Sequence, residues 1–170
     1  MRKRLFLLLL AFISLCQMYA VERTKLNFNG GWLLKVGDFQ GAELANYKDA
    51  GWKQITLPRA FNEKEAFKVS IEHLSDTIMW YRKHFHIQEV GDRKYFIEFE
   101  GVRFDADIWL NGKKVGYTEN GVMASGFDLT PYIIKGENVI AVRVDNSWNY
   151  RERTSGQRFQ WNDKNFNANY

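Results

Sequence analysis

Cysteine is nearly absent from this chain. Its 170 residues include one cysteine, Cys16, which lies in an apolar stretch near the N-terminus. A single cysteine cannot build an intramolecular disulfide framework or a cysteine-rich metal site. The sequence also offers no glycine-rich phosphate loop, Ser-His-Asp arrangement or cysteine cluster as alternative chemistry. A domain without disulfides must rely on its hydrophobic core for stability.

Long hydrophobic runs are also scarce. The one apolar run, Leu5 to Leu15, has eleven residues, whereas a membrane-spanning helix needs about 20. Arg2, Lys3 and Arg4 precede this run, and the small residue Ala20 follows it. This order is typical of a signal peptide. We therefore predict that residues 1–20 are a leader cleaved after Ala20, and that the protein is periplasmic or secreted.

The position of Cys16 leaves an alternative to simple cleavage. A lipoprotein would carry a lipid on this cysteine and stay anchored to a membrane. However, Leu15 directly precedes Cys16, and it fits poorly before an acylated cysteine. We therefore expect an exported chain without a lipid anchor and without a stable membrane span.

The chain has no strong excess of charge. Residues 1–20 contain three of its 24 basic residues and none of its 20 acidic ones, which leaves 21 basic against 20 acidic residues. A net charge of +1 gives no support for nucleic-acid binding. Two prolines and the absence of repeats favour a single domain over residues 21–170. A domain of that size buries about 68–70% of its unfolded surface.

Alternating residue patterns predict antiparallel strands between Gly101 and Asn146. The runs 104–110 and 113–118 flank Asn111-Gly112, a pair that tolerates positive φ at both centres of a tight hairpin turn. Residues 139–145 alternate in the way a half-buried strand requires. The runs 127–132 and 135–138 are interpreted as a loop and a turn.

Three further strands and one irregular segment are predicted before this stretch. The strands are Trp52 to Pro58, Ile78 to Ile87 and Lys94 to Glu100, and the last of these directs Tyr95, Ile97 and Phe99 towards the core. Residues 37–51 are polar and irregular, so we interpret them as a surface excursion. Trp32 is expected to anchor the core. The fold class is therefore an all-β, antiparallel sandwich.

Two pairs of residues invite a chemical interpretation. His84 and His86 share one strand face, but no third ligand is evident nearby, and structural zinc usually takes four. Glu98 and Glu100 also share a face, and glycosidases use two carboxylates, yet a flat sheet face implies no pocket. We expect both pairs to be solvated, with no catalytic residue, metal site or cofactor in this chain.

Several segments resemble the N-terminal sugar-binding domain of glycoside hydrolase family 2. They are Asn29-Gly30-Gly31-Trp32, Trp80-Tyr81-Arg82-Lys83-His84-Phe85, Ile108-Trp109-Leu110-Asn111-Gly112-Lys113, Phe127-Asp128-Leu129-Thr130 and Val142-Arg143-Val144-Asp145-Asn146. This family includes β-galactosidases, β-glucuronidases and β-mannosidases. The resemblance implies a galactose-binding-like jelly roll, and it covers roughly residues 25–170. It also implies that an immunoglobulin-like domain and a barrel with two catalytic glutamates follow in the parent chain.

The resemblance implies sugar contacts from two loops. In the family a polar residue and then Asp or Asn follow Leu-Pro, whereas this chain has Arg59, Ala60 and Phe61, with Asn62 one position later. Ala60 cannot bind a hydroxyl, so Arg59 or Asn62 takes over the contact, or the contact is absent. An arginine there would suit a uronate. The second loop follows Asn146, and its polar and aromatic candidates are Trp148, Asn149, Arg151, Asp163 and Asn165.

Three functions remain open at this point. The first is a fragment of an exported, β-galactosidase-like retaining glycosidase, truncated before the last strand of the domain and inactive alone. The second is a stand-alone carbohydrate-binding module, and the third is a cell-surface interaction domain. The loop over residues 148–170 fits a neighbouring domain as well as it fits a terminal glycan sugar.

Overall fold

The computed structural model describes residues 23–59, 77–102, 105–119 and 123–146. Its elements are eight strands: β1 (Trp32–Val36), β2 (Lys53–Ile55), β3 (Ile78–Ile87), β4 (Phe96–Phe99), β5 (Asp105–Leu110), β6 (Lys113–Thr118), β7 (Ser125–Asp128) and β8 (Gly136–Asp145). The predicted leader, residues 1–20, lies outside these ranges. Within them, no helix has the length and apolar character to cross a membrane.

The strands form two sheets with antiparallel pairing throughout. The larger sheet has the order β2-β1-β3-β8-β5-β6, and the smaller one pairs β4 with β7. The longest pairing joins β3 and β8 over ten residues, from Ile78 opposite Asp145 to Ile87 opposite Gly136. These two strands form the centre of the larger sheet. The predicted all-β sandwich is confirmed.

The main core lies between the two sheets. Alternate residues of the central strands point into it and are fully buried or nearly so; they include Met79, Ala106, Ile108, Ile140 and Val142. Trp32 is 2% exposed within the same cluster, so its predicted role as a core anchor is confirmed. The smaller sheet contributes Ile97, and Phe127 packs against the cluster.

One glycine allows the sheets to approach closely. A Cβ atom added at Gly116 in β6 would lie 2.7 Å from Cδ1 and Cε1 of Phe127 in β7. This distance is well inside van der Waals contact, and a phenyl ring has few ways to move in a packed interior. The absence of a side chain at Gly116 therefore lets the Phe127 ring lie against the larger sheet.

Strand β8 differs from its prediction as a half-buried strand. Both faces are buried, since Ala141 and Asp145 on the outer face are 0% and 4% exposed. The outer face is covered because Ala141 packs in a second cluster with Ala42, Trp52 and Trp80. The alternating residue types of β8 therefore face two different buried environments. The sheet therefore has a second, smaller core on its outer face.

Residues 37–52, hereafter the covering segment, form that outer layer. Ala42 is fully buried and Asp49 is 9% exposed, while the other residues of 37–51 are exposed or half-buried, so the predicted surface excursion also packs on the sheet. The segment leaves β1 where Gly37 N–H donates to the Ile78 carbonyl at 2.8 Å. It then reaches the β5–β6 turn, where Leu44 lies beside Gly112, and returns to β2. It therefore crosses the outer face of the sheet.

Of the three turns and loops predicted in this part of the chain, one is confirmed and two differ from the structure. The Asn111-Gly112 hairpin is confirmed, with φ values of 53° and 80°. Residues 127 and 128, predicted as part of a loop, belong to β7. Strand β8 begins at Gly136, inside the predicted turn, because its ladder with β3 continues to Ile87.

Candidate functional site

The termini of four neighbouring strands lie together at one end of the larger sheet. Strands β3 and β5 begin there, and β6 and β8 end there, as shown by Ile78 opposite Asp145, Asp105 opposite Asp145 and Ala106 opposite Thr118. We call this group of strand termini, with Asp105, Glu119 and Asp145, the acidic end of the sheet. The chain continues covalently from here into residues 147–170.

A backbone hydrogen bond joins the start of β3 to the end of β8. The Asn146 N–H donates to the Thr77 carbonyl at 3.0 Å, which adds one step to the ten paired residues of the two strands. Asn146 is 3% exposed. Asn146, the last residue before segment 147–170, is therefore held in place at the end of β8.

Carboxyl groups dominate the electrostatics of the acidic end. Burial and, after it, the nearby carboxylates of Asp107, Asp145 and Glu119 raise the pKa of Asp105 to about 6, against the opposing effect of Arg143. Tyr117 O–H donates to Glu119 Oε1 at 3.0 Å. Carboxylates are acceptors that suit hydroxyl donors, so this end has chemistry compatible with polyhydroxylated ligands.

Arg143 links the acidic end to the covering segment. Its Nε and Nη2 donate to Asp38 Oδ1 and Oδ2 at 3.0 and 2.8 Å, and its Nη1 donates to Asp145 Oδ2 at 3.2 Å. Trp80 Nε1 also donates to Asp38 Oδ1 at 3.1 Å. The hydrogen bond from Arg143 holds the pKa of Asp38 below its usual range. Asp38 is therefore a charged anchor of the covering segment.

A second ion pair holds the covering segment nearer the middle of the sheet. Arg82 is fully buried, and its Nε donates to Asp49 Oδ2 at 2.7 Å. Its Nη1 donates to the carbonyls of Ala42 and Leu44. Burial raises the pKa of Asp49, but the hydrogen bonds from Arg82 and His84 outweigh it and hold that pKa below its usual range. Buried charges need such partners.

The two residue pairs singled out in the sequence are exposed. His84 and His86 both lie at the surface, and His84 Nε2 lies 2.8 Å from Asp49 Oδ2. Glu98 in β4 and Glu100 directly after it are exposed, as predicted. Residues 23–59, 77–102, 105–119 and 123–146 contain no group of three or more His, Cys, Asp or Glu residues arranged to hold a metal.

One predicted sugar-contacting residue, Arg59, lies within the described ranges. Strand β2 runs away from the acidic end, because its last residue, Ile55, pairs with Trp32, and Leu57 N–H donates to the Asn29 carbonyl at 2.9 Å. Arg59 follows two residues later and is half-buried. The direction of β2 therefore places Arg59 towards the end of the strands opposite the acidic end.

The other six candidates lie outside the described residues. They are Asn62, Trp148, Asn149, Arg151, Asp163 and Asn165. Their contact with sugar therefore stays a prediction. Five of them follow Asn146 in the chain, whereas Asn62 follows Arg59 by three positions.

Sequence reasoning missed the groups that build the acidic end. Asp105 and Glu119 carried no motif, and the Asp38–Arg143 pair joins residues 105 positions apart. The acidic end could have been predicted by pairing the strand that starts at Ile78 with the strand that ends at Asp145. In antiparallel strands these two termini must meet at one edge.

Comparison with known proteins identifies the domain type. Residues 53–169 match the family model described as "Glycosyl hydrolase 2 galactose-binding domain-like". The chain is 40% identical over 134 residues to a β-glucuronidase of Formosa agariphila, covering 74% of this chain and 14% of that protein. It is 32% identical over 133 residues to the β-galactosidase BoGH2A of Bacteroides ovatus, covering 74% and 16%.

Solved structures show the same similarity. A glycosyl hydrolase family 2 member from Bacteroides cellulosilyticus matches with a TM-score of 0.64 and 33% identity, covering 70% of this chain and 17% of that one. A β-glucuronidase from glycoside hydrolase family 2 matches with a TM-score of 0.65 and 36% identity, covering 75% and 15%. The chain therefore spans about a sixth of the length of these relatives.

Proposed function

Because this chain belongs to glycoside hydrolase family 2, we propose that it forms one wall of the sugar pocket of an exported, retaining β-glycosidase. The enzyme removes a terminal sugar from a glycan by double displacement between two carboxylates. Those carboxylates belong to another domain of the same polypeptide. The present domain supplies contacts that position the sugar, and it needs no cofactor.

The arrangement of strand ends at the acidic end carries this proposal. The start of β3 and the end of β8 meet there, and the Asn146 N–H bond to Thr77 fixes the point of departure of the next segment. Residues 147–170 combine amide, aromatic and charged side chains. Such groups bind sugar hydroxyls and stack on sugar rings. One rigid edge thus supports the segments that contact the sugar.

We propose a β-glucuronide as substrate, with a β-galactoside as the alternative. The β-glucuronidase relative is 40% identical and the β-galactosidase relative 32% identical over similar lengths. Segment 147–170 carries Arg151, Arg153 and Arg158. Arginine pairs with a carboxylate through two parallel hydrogen bonds, which suits a uronate and gives no advantage with galactose.

A first experiment compares two purified proteins on two substrates. One protein is the longer polypeptide encoded by the reading frame that continues beyond Tyr170, and the other is the 170-residue chain. We expect the longer protein to hydrolyse 4-nitrophenyl β-glucuronide at least about tenfold better, in kcat/KM, than the β-galactoside. The short chain is expected to hydrolyse neither. Turnover by the short chain would contradict the assignment of catalysis to another domain.

Sequencing the same reading frame provides a test that needs no protein. We expect it to encode a barrel domain with an Asn-Glu pair at the end of a strand. A frame that stops directly after Tyr170 would contradict the proposal. In that case, binding of the purified chain to members of a glycan panel would support a stand-alone carbohydrate-binding module.

Export is tested by the mass of the chain produced in a bacterial host. We expect the protein to accumulate outside the cytoplasm and to begin at Val21, without residues 1–20. A Leu8→Arg variant, which interrupts the apolar run, is expected to keep its leader and remain inside the cell. An uncleaved wild-type chain in the cytoplasm would refute export. A lipid on Cys16 would show that the protein is anchored to a membrane and not released.

A further inference from the structure

Arg143 occupies an unusual position in the outer face of the sheet. It lies in β8, two residues before Asp145, and its side chain is 20% exposed. It donates two hydrogen bonds to Asp38 of the covering segment and a third to Asp145. One guanidinium therefore joins the covering segment, the central strand and the acidic end.

We propose that Arg143 is a positioning residue for the sugar pocket. Held by Asp38, it fixes Asp145 and thereby the position of Asn146 at the end of β8. This inference rests on the proposed function, because it assigns the contacts beyond Asn146 to sugar recognition. Arg143 itself acts through the chain and touches no sugar.

The geometry of the guanidinium explains why arginine is required. Arginine presents five donors in one rigid plane, so two donors on Asp38 also fix the direction of the third. Here that third donor meets Asp145 Oδ2 at 3.2 Å. A lysine at this position has one nitrogen on a flexible stem and cannot transmit orientation between two carboxylates.

The local charges also require a cation at this position. Asp105 and Asp107 lie on β5 beside Asp145, and Glu119 directly follows β6, so these carboxylates repel one another. Arg143 faces Trp80 on one side and Asp107 on the other in the strand register. Removal of its charge would take away the cation that Asp38 and Asp145 share.

The Asp49–Arg82 pair supplies a matched control. It also joins the covering segment to a central strand through an arginine and an aspartate, with Nε to Oδ2 at 2.7 Å. However, Arg82 lies opposite Ala141, four residues before Asp145. Loss of this pair should therefore destabilise the domain without changing the end of β8.

Amide hydrogen exchange in the 170-residue chain tests positioning without any sugar. We expect Arg143→Gln to speed exchange of the Asn146 amide by about tenfold relative to the Val142 amide in the same strand, because local opening becomes easier. Asp49→Asn is expected to change both amides equally. An unchanged Asn146-to-Val142 ratio in Arg143→Gln would overturn the proposal.

Steady-state kinetics of the longer polypeptide provide the functional readout. With 4-nitrophenyl β-glucuronide, we expect Arg143→Gln to lower kcat/KM by about tenfold, mainly through KM. Arg143→Lys should lower it less, and Asp49→Asn should leave it within about twofold. Equal losses of kcat/KM in Arg143→Gln and Asp49→Asn would mean that Arg143 only stabilises the domain, and would overturn the inference. Absence of activity in the wild type would refute the proposed function, whereas the exchange experiment would still decide on positioning.

Discussion

Individual residues in this domain carry ionisation states that differ from those expected in solution. Asp105 has a pKa of about 6 because it is partly buried beside Asp107, Asp145 and Glu119. A folded-state pKa above the ordinary 3.8 means that the unfolded chain releases this proton more easily. The contribution of Asp105 to stability is therefore most favourable at low pH and is lost as the pH rises from about 4 to about 6.

Replacement of Asp105 should relieve this cost. We expect Asp105→Asn to raise the free energy of unfolding at pH 8 by about 1 kcal/mol, a value reduced from the full pKa difference because the group is only partly buried and solvent screens its charge. The gain should vanish near pH 4, where the wild-type carboxyl is protonated. Urea unfolding at both pH values measures it. Asp92→Asn, at an exposed position outside the strands, serves as the control and should give no gain.

Gly116 provides a steric prediction at the same scale. Because a Cβ atom there would lie 2.7 Å from the Phe127 ring, Gly116→Ala should lower the free energy of unfolding by about 1–3 kcal/mol. Gly51→Ala is the matched control, since nothing lies within 4 Å of its Cβ position. Thermal unfolding of both variants measures the difference. Equal melting temperatures would show that Phe127 moves without cost.

The covering segment is the element that most distinguishes this sheet from a simple two-layer sandwich. It buries Ala42 and Trp52 against Trp80 and Ala141. Trp80 and Trp109 stack beneath it, with ring centroids 5.3 Å apart and planes inclined by 27°. Two arginines of the central strands then hold its aspartates, so its attachment combines a small apolar cluster with two ion pairs.

A double-mutant cycle on Arg82 and Asp49 should reveal how strongly the segment is held. We expect Arg82→Met alone to cost about 3–5 kcal/mol, because it leaves Asp49 at a largely buried site without its main partner. The double variant with Asp49→Asn should cost less than the sum of the two single changes, since no buried charge is then left over. Guanidinium chloride unfolding of all four proteins gives the coupling energy. Strict additivity would mean that the pair contributes nothing.

The strands could be predicted because their patterns are local, whereas the covering segment could not. The prediction for Ile78 to Ile87 agrees with β3 residue for residue, and the Asn111-Gly112 turn follows from backbone chemistry. Strand β7 was missed because Gly126 interrupts its four residues and only pairing with β4 defines it. Burial of Ala141 depends on Ala42, about 100 positions away, and no periodicity within β8 indicates a second covered face.

The candidate site shows the same division between local and distant information. Family motifs indicated the loops around Asn62 and Trp148, and those residues lie outside the described ranges. The acidic end arises instead from the register of β3, β8 and β5, which brings Asp105 opposite Asp145. The raised pKa of Asp105 and the Asp38–Arg143 contact depend on this tertiary arrangement, so sequence patterns gave no signal for them.

At the scale of the whole molecule, opposing groups set the response of stability to pH. The pKa values of Asp38 and Asp49 lie below their ordinary range because of Arg143, Arg82 and His84. A lowered folded-state pKa gives stability that is present above about pH 4 and is lost as the pH falls further. Asp105 acts in the opposite direction between about pH 4 and 6.

Together these groups predict a maximum of stability in mild acid. We expect the urea midpoint of the wild-type chain to be highest near pH 5, to fall steeply below about pH 3.5 and to fall more gently towards pH 8. Measurement at half-unit intervals should resolve both limbs. The Asp105→Asn variant should lose the gentle alkaline limb and keep the acid limb. A wild-type midpoint that rises from pH 5 to pH 8 would contradict this assignment.

The pairing of β3 with β8 has a consequence for how such domains diversify. Ten consecutive paired residues fix the register of the two central strands, independently of the lengths of the segments that precede Thr77 and follow Asn146. Insertions, deletions and exchanges in those segments can therefore accumulate without shifting the sheet. Segments from relatives with other sugar preferences should be transplantable onto this framework as interchangeable modules, with Thr77 and Asn146 as the junctions.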